Sequence, residues 1–184
     1  MNYKEDMKKK RQNQTGVTIV ELMVTLAVMV LLLAVGIPMF SSITANNRAA
    51  AQANSLITAM NLARSEAVKR TTPVTIRSKS SSSMADTGTG TSANWANGWI
   101  VFSDANSDGA INNASDVIRI WGAPDGTPTI TTTVAFIRFT EGGSRDTAGS
   151  ATFTLKQANC TGQLGRIVTV NTVGQISVQK TSCP

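Results

Sequence analysis

The stretch TGVTIVELMVTLAVMVLLLAVGIPMF, residues 15–40, decides how this chain is built. Between residues 17 and 40 the clearly polar side chains are Thr18, Glu21 and Thr25. As an α-helix this run would extend about 36 Å, and the hydrocarbon core of a bilayer is about 30 Å thick. The sequence therefore predicts one membrane-spanning helix with a single carboxylate near its N-terminal end.

The charges that flank the apolar run predict its orientation. A basic block, Lys8 to Arg11, precedes the run, and the first positive charge after it is Arg48. Positive charge accumulates on the cytoplasmic side of membrane helices, so we expect a cytoplasmic N-terminus and an exported body. Three processing outcomes fit: an uncleaved signal anchor, secretory cleavage after residues 34–36, and cleavage between Gly16 and Val17.

The chain beyond the apolar run predicts a second helical half and then a strand-rich head. Apolar residues recur at helical spacing from Ile43 to Val68, and Thr71-Thr72-Pro73 ends the pattern. Pro38 has no amide hydrogen, so we expect a kink there. Alternating patterns then predict strands at 73–78, 98–104, 116–121, 133–139, 151–157, 166–170 and 175–180, the last two as a hairpin, with a serine-rich loop at 78–92.

The two cysteines, Cys160 and Cys183, flank the predicted hairpin. In an exported body they are expected to form a disulfide, which would add about 3 kcal/mol of stability in the chain-entropy model. The sequence has no histidine and no G-x-S-x-G elbow. We therefore predict neither an enzyme nor a bound cofactor.

The segment DANSDG, residues 104–109, matches the opening of a calcium-binding loop. Asp104, Asn106 and Asp108 are weak candidate ligands. The twelfth loop position, which would need a glutamate, is Ser115, and Asp116 comes one residue late. Because Asp, Asn and Gly also build turns without an ion, we expect a plain loop and no metal.

The N-terminal segment GVTIVELMVTLAVMVLLLAVGIPMF resembles the type III signal sequence of type IV pilins and type II secretion pseudopilins. The matching parts are a basic leader (1–16), Gly16 at the cut, an apolar run, Glu21 and Pro38. One departure is Val17, where the family usually has Phe. The resemblance implies that prepilin peptidase cuts after Gly16 and that the new N-terminus at Val17 is methylated.

Cleavage after Gly16 would give Glu21 a partner. It creates an α-ammonium group on Val17, about one helical turn away. In a low-dielectric setting two opposite charges at close range attract by several kcal/mol, and a helix N-terminus favours a carboxylate. The pair can form within one subunit or, in a growing filament, between neighbouring subunits. We therefore predict that Glu21 is the charge that sets assembly register.

The rest of the chain resembles the GspH/FimT family, and within it the FimU-like minor pilins. The resemblance lies in Trp95, GWIVFSDANSDG (98–109), VIRIW (117–121) and CTGQLGRIVTVNTVGQISV (160–178). It implies an α+β, pilin-like fold in which a long N-terminal helix packs on a C-terminal antiparallel sheet. The implied regions are the leader 1–16, the transmembrane half 17–40, the amphipathic half 41–70 and the head 71–184.

The resemblance implies a minor pilin that primes or caps type IV pilus assembly at the tip, in twitching motility, adhesion or DNA uptake. The implied location is the bacterial inner membrane, with the N-terminus cytoplasmic and the head periplasmic, and then the filament. The implied partners are other minor and major pilins, the inner-membrane assembly platform, prepilin peptidase and membrane lipid.

Two alternative functions stay open. A type II secretion pseudopilin of GspH type would share every motif above. A FimT-like pilin would bind DNA through a basic C-terminal motif, for which Arg166 and Lys180 are the candidate contacts. Val168 stands where the second arginine of that motif would be, and so few phosphate contacts would give weak, salt-sensitive binding.

Overall fold

The computed structural model describes residues 16–80, 94–126, 128–158 and 165–183, without the side chains of Pro38 and Met39. The predicted leader up to residue 15 and residues 81–92 of the predicted loop lie outside this description. The chain divides into two compact units, Met1–Ser41 and Ser42–Pro184. Each unit is described by itself below.

The first unit holds the N-terminal part of helix α1, which spans Ile19–Arg70 and has 52 residues. Between Ile19 and Ile37 its large apolar side chains are all exposed, from 49% at Leu33 to 80% at Ile19. By length and composition this part of α1 is able to cross a membrane. A helix that is apolar on every side must be covered by lipid or by other helices.

In the second unit, α1 ends where the sequence predicts. Thr71 adopts a left-handed conformation, with φ of 48°, and the Thr72 amide donates to the Ala67 carbonyl at 3.3 Å. This is a Schellman-type stop, in which the first residue past the helix turns left-handed. Pro73 then prevents continuation. The predicted end at Thr71-Thr72-Pro73 is confirmed.

Within the described residues, eight strands follow α1: β1 Val74–Ser78, β2 Trp99–Ser103, β3 Val117–Trp121, β4 Thr129–Thr132, β5 Phe136–Phe139, β6 Ala151–Lys156, β7 Gly165–Val170 and β8 Ile176–Thr181. They form two four-stranded antiparallel sheets, one with the order β3-β2-β1-β5 and the other with the order β4-β6-β7-β8. The predicted C-terminal hairpin is confirmed, since β7 and β8 pair in register with Val168 opposite Val178.

The sequence prediction missed β4 and expected a single sheet. Strand β4 has four residues, of which Ile130 alone is buried, so its apolar pattern is too short to recognise. Strand β5 begins at Phe136, three residues later than predicted, because the chain leaves one sheet after β4 and enters the other at β5. Local periodicity carries no information about which sheet a strand joins.

The core lies between α1 and the two sheets. On the helix, small and apolar residues at alternating spacings of three and four form the buried stripe: Ala49, Ala53, Leu56, Met60, Ala63 and Ala67. Trp95, Trp99 and Phe153 pack against this stripe from the head. Ile43 and Val68, assigned to the stripe by periodicity, are half exposed. The predicted fold class, a long helix on an antiparallel β head, is confirmed.

Candidate assembly site

The predicted cleavage point lies in exposed, non-helical backbone that precedes the first residue of α1. Gly16 and Val17 are both exposed. A Cβ built on Gly16 would meet no described atom within 4 Å, and Gly16 has no left-handed φ. The fold around it therefore does not require glycine at this position. If glycine is required here, the requirement comes from the enzyme that recognises the site. The predicted cleavage by prepilin peptidase assumes such recognition.

Thr18 and Glu21 form the N-terminal cap of α1, a feature that the sequence prediction missed. The Glu21 amide donates to the Thr18 hydroxyl at 3.2 Å, and the Leu22 amide donates to the Thr18 carbonyl at 3.1 Å. Thr-x-x-Glu before an apolar run is the sequence signature of a capping box, and it could have been recognised here. Glu21 therefore occupies a position where the helix dipole already favours a carboxylate.

The Glu21 side chain is exposed on the apolar helix. Within the described residues its carboxylate takes part in no ion pair. A lone charge at mid-bilayer costs roughly 2.5 to 3.5 kcal/mol on insertion scales. Pairing with the amine of a cleaved Val17 stays a prediction, as does the kink at Pro38, through which α1 continues as one helix.

The DANSDG loop is closed by hydrogen bonds from the protein itself. Asp104 is buried and accepts from the Thr75 hydroxyl at 2.7 Å, from Arg138 Nε at 2.8 Å and from the Gly109 amide at 3.1 Å. Asp108 accepts from the amide of residue 110 at 2.8 Å. These bonds account for the turn without an ion, and among the described residues no group of three or more metal-binding side chains is present.

Hydrogen bonds in and around this loop stabilise the ionised forms of Asp108 and Arg138. The Asp108 pKa is lowered, first by the hydrogen bond from the Ala110 amide and then by that from Asn112. Burial would lower the pKa of Arg138, but its hydrogen bonds to Asp104 and Asp146 outweigh burial and raise it. Asp104, Arg138 and Asp146 form a chain of ion pairs at 2.8 and 2.6 Å. These bonds attach the loop to β1 through Thr75 and to β5 through Arg138.

The two candidate DNA contacts have different environments. Arg166 is 7% exposed, and its guanidinium donates to Asn46 Oδ1 on α1 at 2.6 Å and to the Gly165 carbonyl. Lys180, directly opposite in the register of β8, is exposed. A phosphate contact by Arg166 would require breaking its bond to α1. The geometry therefore supports Lys180 as a phosphate contact more than Arg166, and DNA contact by either residue stays a prediction.

The structure describes one of the two cysteines of the predicted disulfide. Cys183 is 9% exposed and disulfide-bonded. Cys160 lies outside the described residues, so its pairing with Cys183 stays a prediction. Cys183 follows β8 directly, and a bridge there would fasten the end of the exposed edge strand.

The fold and the N-terminal segment together define a filament-subunit class: a pilin-like protein with a prepilin-type apolar helix. Residues 11–37 match the model of the prokaryotic N-terminal methylation motif. Residues 52–174 match the model described as Type II transport protein GspH. The chain belongs to this GspH family and is a minor pilin or pseudopilin of the GspH/FimT type. Members of this family are structural proteins, not enzymes.

Solved structures support the same fold. One crystal structure of the type IV minor pilin FimU of Pseudomonas aeruginosa has a TM-score of 0.57 at 22% identity, with 75% of this chain and 96% of that chain covered. A second crystal form has a TM-score of 0.52 at 22% identity, with 72% and 97% covered. No curated protein sequence matches this chain. At this identity the likeness establishes the fold.

Proposed function

We propose that this chain is a minor pilin of a type IV pilus and that it primes or caps the filament at its tip. The observation that carries the proposal is the apolar part of α1, whose large side chains are exposed on every side and which begins with the Thr18–Glu21 cap. Such a helix needs lipid before assembly and other helices after it. A solved type IV minor pilin has the same fold, which is compatible with the pilus.

The proposed life cycle follows from the same features. The chain is inserted into the inner membrane with its N-terminus in the cytoplasm and its head in the periplasm. Prepilin peptidase cuts after Gly16, and Val17 becomes the methylated N-terminus. The subunit then leaves membrane lipid at the assembly platform and packs against other minor and major pilins. Glu21 aligns it by pairing with an amine at a subunit N-terminus.

The test is deletion of the gene in its native host. We expect loss of surface pili and of twitching motility, and recovery of both when the full-length chain is supplied again. Secretion of exoproteins, measured in the same strains, should be unchanged. Normal piliation in the deletion strain would contradict the proposal.

A type II secretion pseudopilin is the second candidate, because the matching family model carries that description. In that case the deletion would block exoprotein release and leave twitching intact. A DNA-uptake pilin is a third role. It has less support, because the Arg166 guanidinium is bound to α1. Retention of duplex DNA at low salt that is lost in Lys180→Ala would favour it.

A further inference from the structure

A half-open cleft lies in the second unit, between the C-terminal part of α1 and the loop that follows β3. Its volume is about 290 Å³. On the helix side it is lined by Arg48, Ala51, Gln52 and Ser55, on the loop side by residues 122–125, and Trp99 forms part of its wall. None of these residues belongs to the assembly site described above.

The wall of the cleft is held in place by amide side chains. Gln52 is 6% exposed, donates to the Asp125 carbonyl at 2.5 Å and accepts from Gln157 at 2.6 Å. These bonds fasten the loop to α1 and use the polar groups of Gln52 inside the protein. Gln52 is therefore not free to bind a ligand.

Arg48 brings a positive charge to the cleft. Its side chain lies against Gly126, where a built Cβ would be 3.6 Å from Arg48 Nη1. Within the described residues Arg48 takes part in no ion pair, and Asp125, which also lines the cleft, does not pair with it. The guanidinium keeps its donors available for a carboxylate, which it binds well in a two-pronged geometry.

Trp99 provides a second unused donor. It is 1% exposed, and its Nε1 is the one buried side-chain polar atom of the described residues that has no hydrogen-bond partner. The neighbouring Trp95 differs, since its Nε1 donates to the Val134 carbonyl at 3.1 Å. Buried indole N–H groups usually have an acceptor, and leaving one unpaired costs free energy. Nε1 is itself buried, so an acceptor that enters the cleft removes this cost only when a small movement of the Trp99 ring or of residues 122–125 uncovers the N–H group.

We propose that this cleft is a socket for a glutamate or aspartate side chain of a neighbouring pilin subunit. The carboxylate pairs with Arg48 and accepts from Trp99 Nε1. The methylene groups of the incoming side chain pack on Ala51, Pro124 and the Trp99 ring. Arg48 compensates the desolvation of the acid, which apolar walls alone could not do. The inference rests on the proposed filament function and adds a specific docking contact to it.

Cross-linking in cells identifies the occupant. A photo-reactive amino acid replaces Ala123, at the exposed lip of the cleft, in the full-length chain; a second version carries it at Ser177 on β8, outside the cleft. After irradiation of piliated cells, we expect the Ala123 version to capture a pilin peptide that contains Asp or Glu. Capture of a pilin peptide without an acid, or no pilin adduct although the chain is found in pili, overturns the proposal.

A charge exchange tests the ion pair. Arg48→Glu should reduce the Ala123 adduct by about tenfold or more, the loss expected when a charge-assisted bond becomes a repulsion. Changing the captured acid to Lys in the partner should then restore it. Lys180→Glu is the matched control, because it makes the same charge change at an exposed site outside the cleft. An equal loss in Lys180→Glu, or no recovery in the exchanged pair, contradicts the specific contact.

Replacement of the Trp99 indole tests the second donor without changing its shape. 3-Benzothienylalanine keeps the bicyclic ring and has sulfur in place of N–H. At Trp99 it should reduce the adduct and leave the stability of the purified chain unchanged or raised. At Trp95 it should lower stability, since that N–H has an internal acceptor. An unchanged adduct with the Trp99 replacement overturns the role of Nε1. If the chain never enters pili, the proposed function fails instead.

Discussion

Glu21 combines two effects that act at different stages. Its backbone amide completes the cap with Thr18, and its side chain carries the charge of the apolar helix. The cap contributes to the start of α1 in an isolated subunit, whereas the charge matters where an amine is nearby. Substitutions at the two positions therefore separate helix capping from assembly.

We predict that Glu21→Gln prevents entry into filaments and leaves membrane insertion intact. The glutamine keeps the amide that donates to Thr18, and it removes the charge that pairs with an N-terminal amine. Thr18→Ala is the control: it keeps the charge and weakens the cap by about 1 kcal/mol. The measurement is the ratio of sheared-pilus to membrane protein. A Glu21→Gln chain that enters pili like the wild type would contradict the assembly role.

The lowered pKa of Asp108 predicts that the folded chain loses stability in acid. Its pKa lies below the ordinary 3.8 in the folded chain because the Ala110 amide hydrogen-bonds the carboxylate. A lowered folded pKa gives stability that is present above the unfolded pKa and is lost as pH falls through the folded value. The stability of the wild type relative to Asp108→Asn should thus be greatest near neutral pH and decline below pH 3.8.

Urea unfolding of the detergent-solubilised chain, followed by tryptophan fluorescence between about pH 3 and pH 7, measures this difference. The Asp108→Asn variant keeps a carbonyl acceptor for the Ala110 amide, so it controls for the loop's neutral hydrogen bonds. A difference that grows on acidification would refute the assignment.

At the scale of elements, the β7–β8 turn packs directly on the loop that follows β5. Gly174 has φ of 77°, and a Cβ there would be 2.2 Å from the Gly143 carbonyl oxygen. Arg64 of α1 donates to the same oxygen at 2.9 Å. Helix, loop and turn therefore meet at one point, which no local sequence pattern reveals.

We predict that Gly174→Ala lowers the free energy of unfolding by roughly 2 to 4 kcal/mol, the sum of left-handed strain and a backbone clash. Gly149→Ala is the matched control, because Gly149 has φ of 81° and nothing within 4 Å of a built Cβ. It should lose only the part that comes from left-handed strain, about 1 to 2 kcal/mol. Equal losses in the two variants would show that the close contact is unimportant.

Some features of the helix and strands are predictable from the local sequence, and others are not. The α1 stop and the β7–β8 hairpin were predicted because caps, proline and short turns act over a few residues. Strand β4 and the division into two sheets were not, since pairing depends on partners distant in sequence. The burial of Arg166 also follows from its contact with Asn46, 120 residues away.

At the scale of the whole molecule, reduction of the cysteine pair tests whether a disulfide stabilises the head. If Cys160 and Cys183 are bridged, reduction should lower the stability of the head by about 3 kcal/mol, because the open chain regains conformational freedom when unfolded. Denaturation of the purified chain with and without reductant measures this. A variant with both cysteines changed to serine should not respond to reductant. A wild type that is equally indifferent would argue against the bridge.

The sequence by itself determined the apolar run, the basic flank, the end of α1 and the α+β class, and it predicts the cleavage residues. Each of these depends on the chemistry of neighbouring residues or on the period of one element. Only the tertiary structure decided that the strands form two sheets, that Asp104 is satisfied by Arg138, and that Arg48 and Trp99 line one cleft. Those features depend on which distant segments meet, and that is fixed by packing of the whole head.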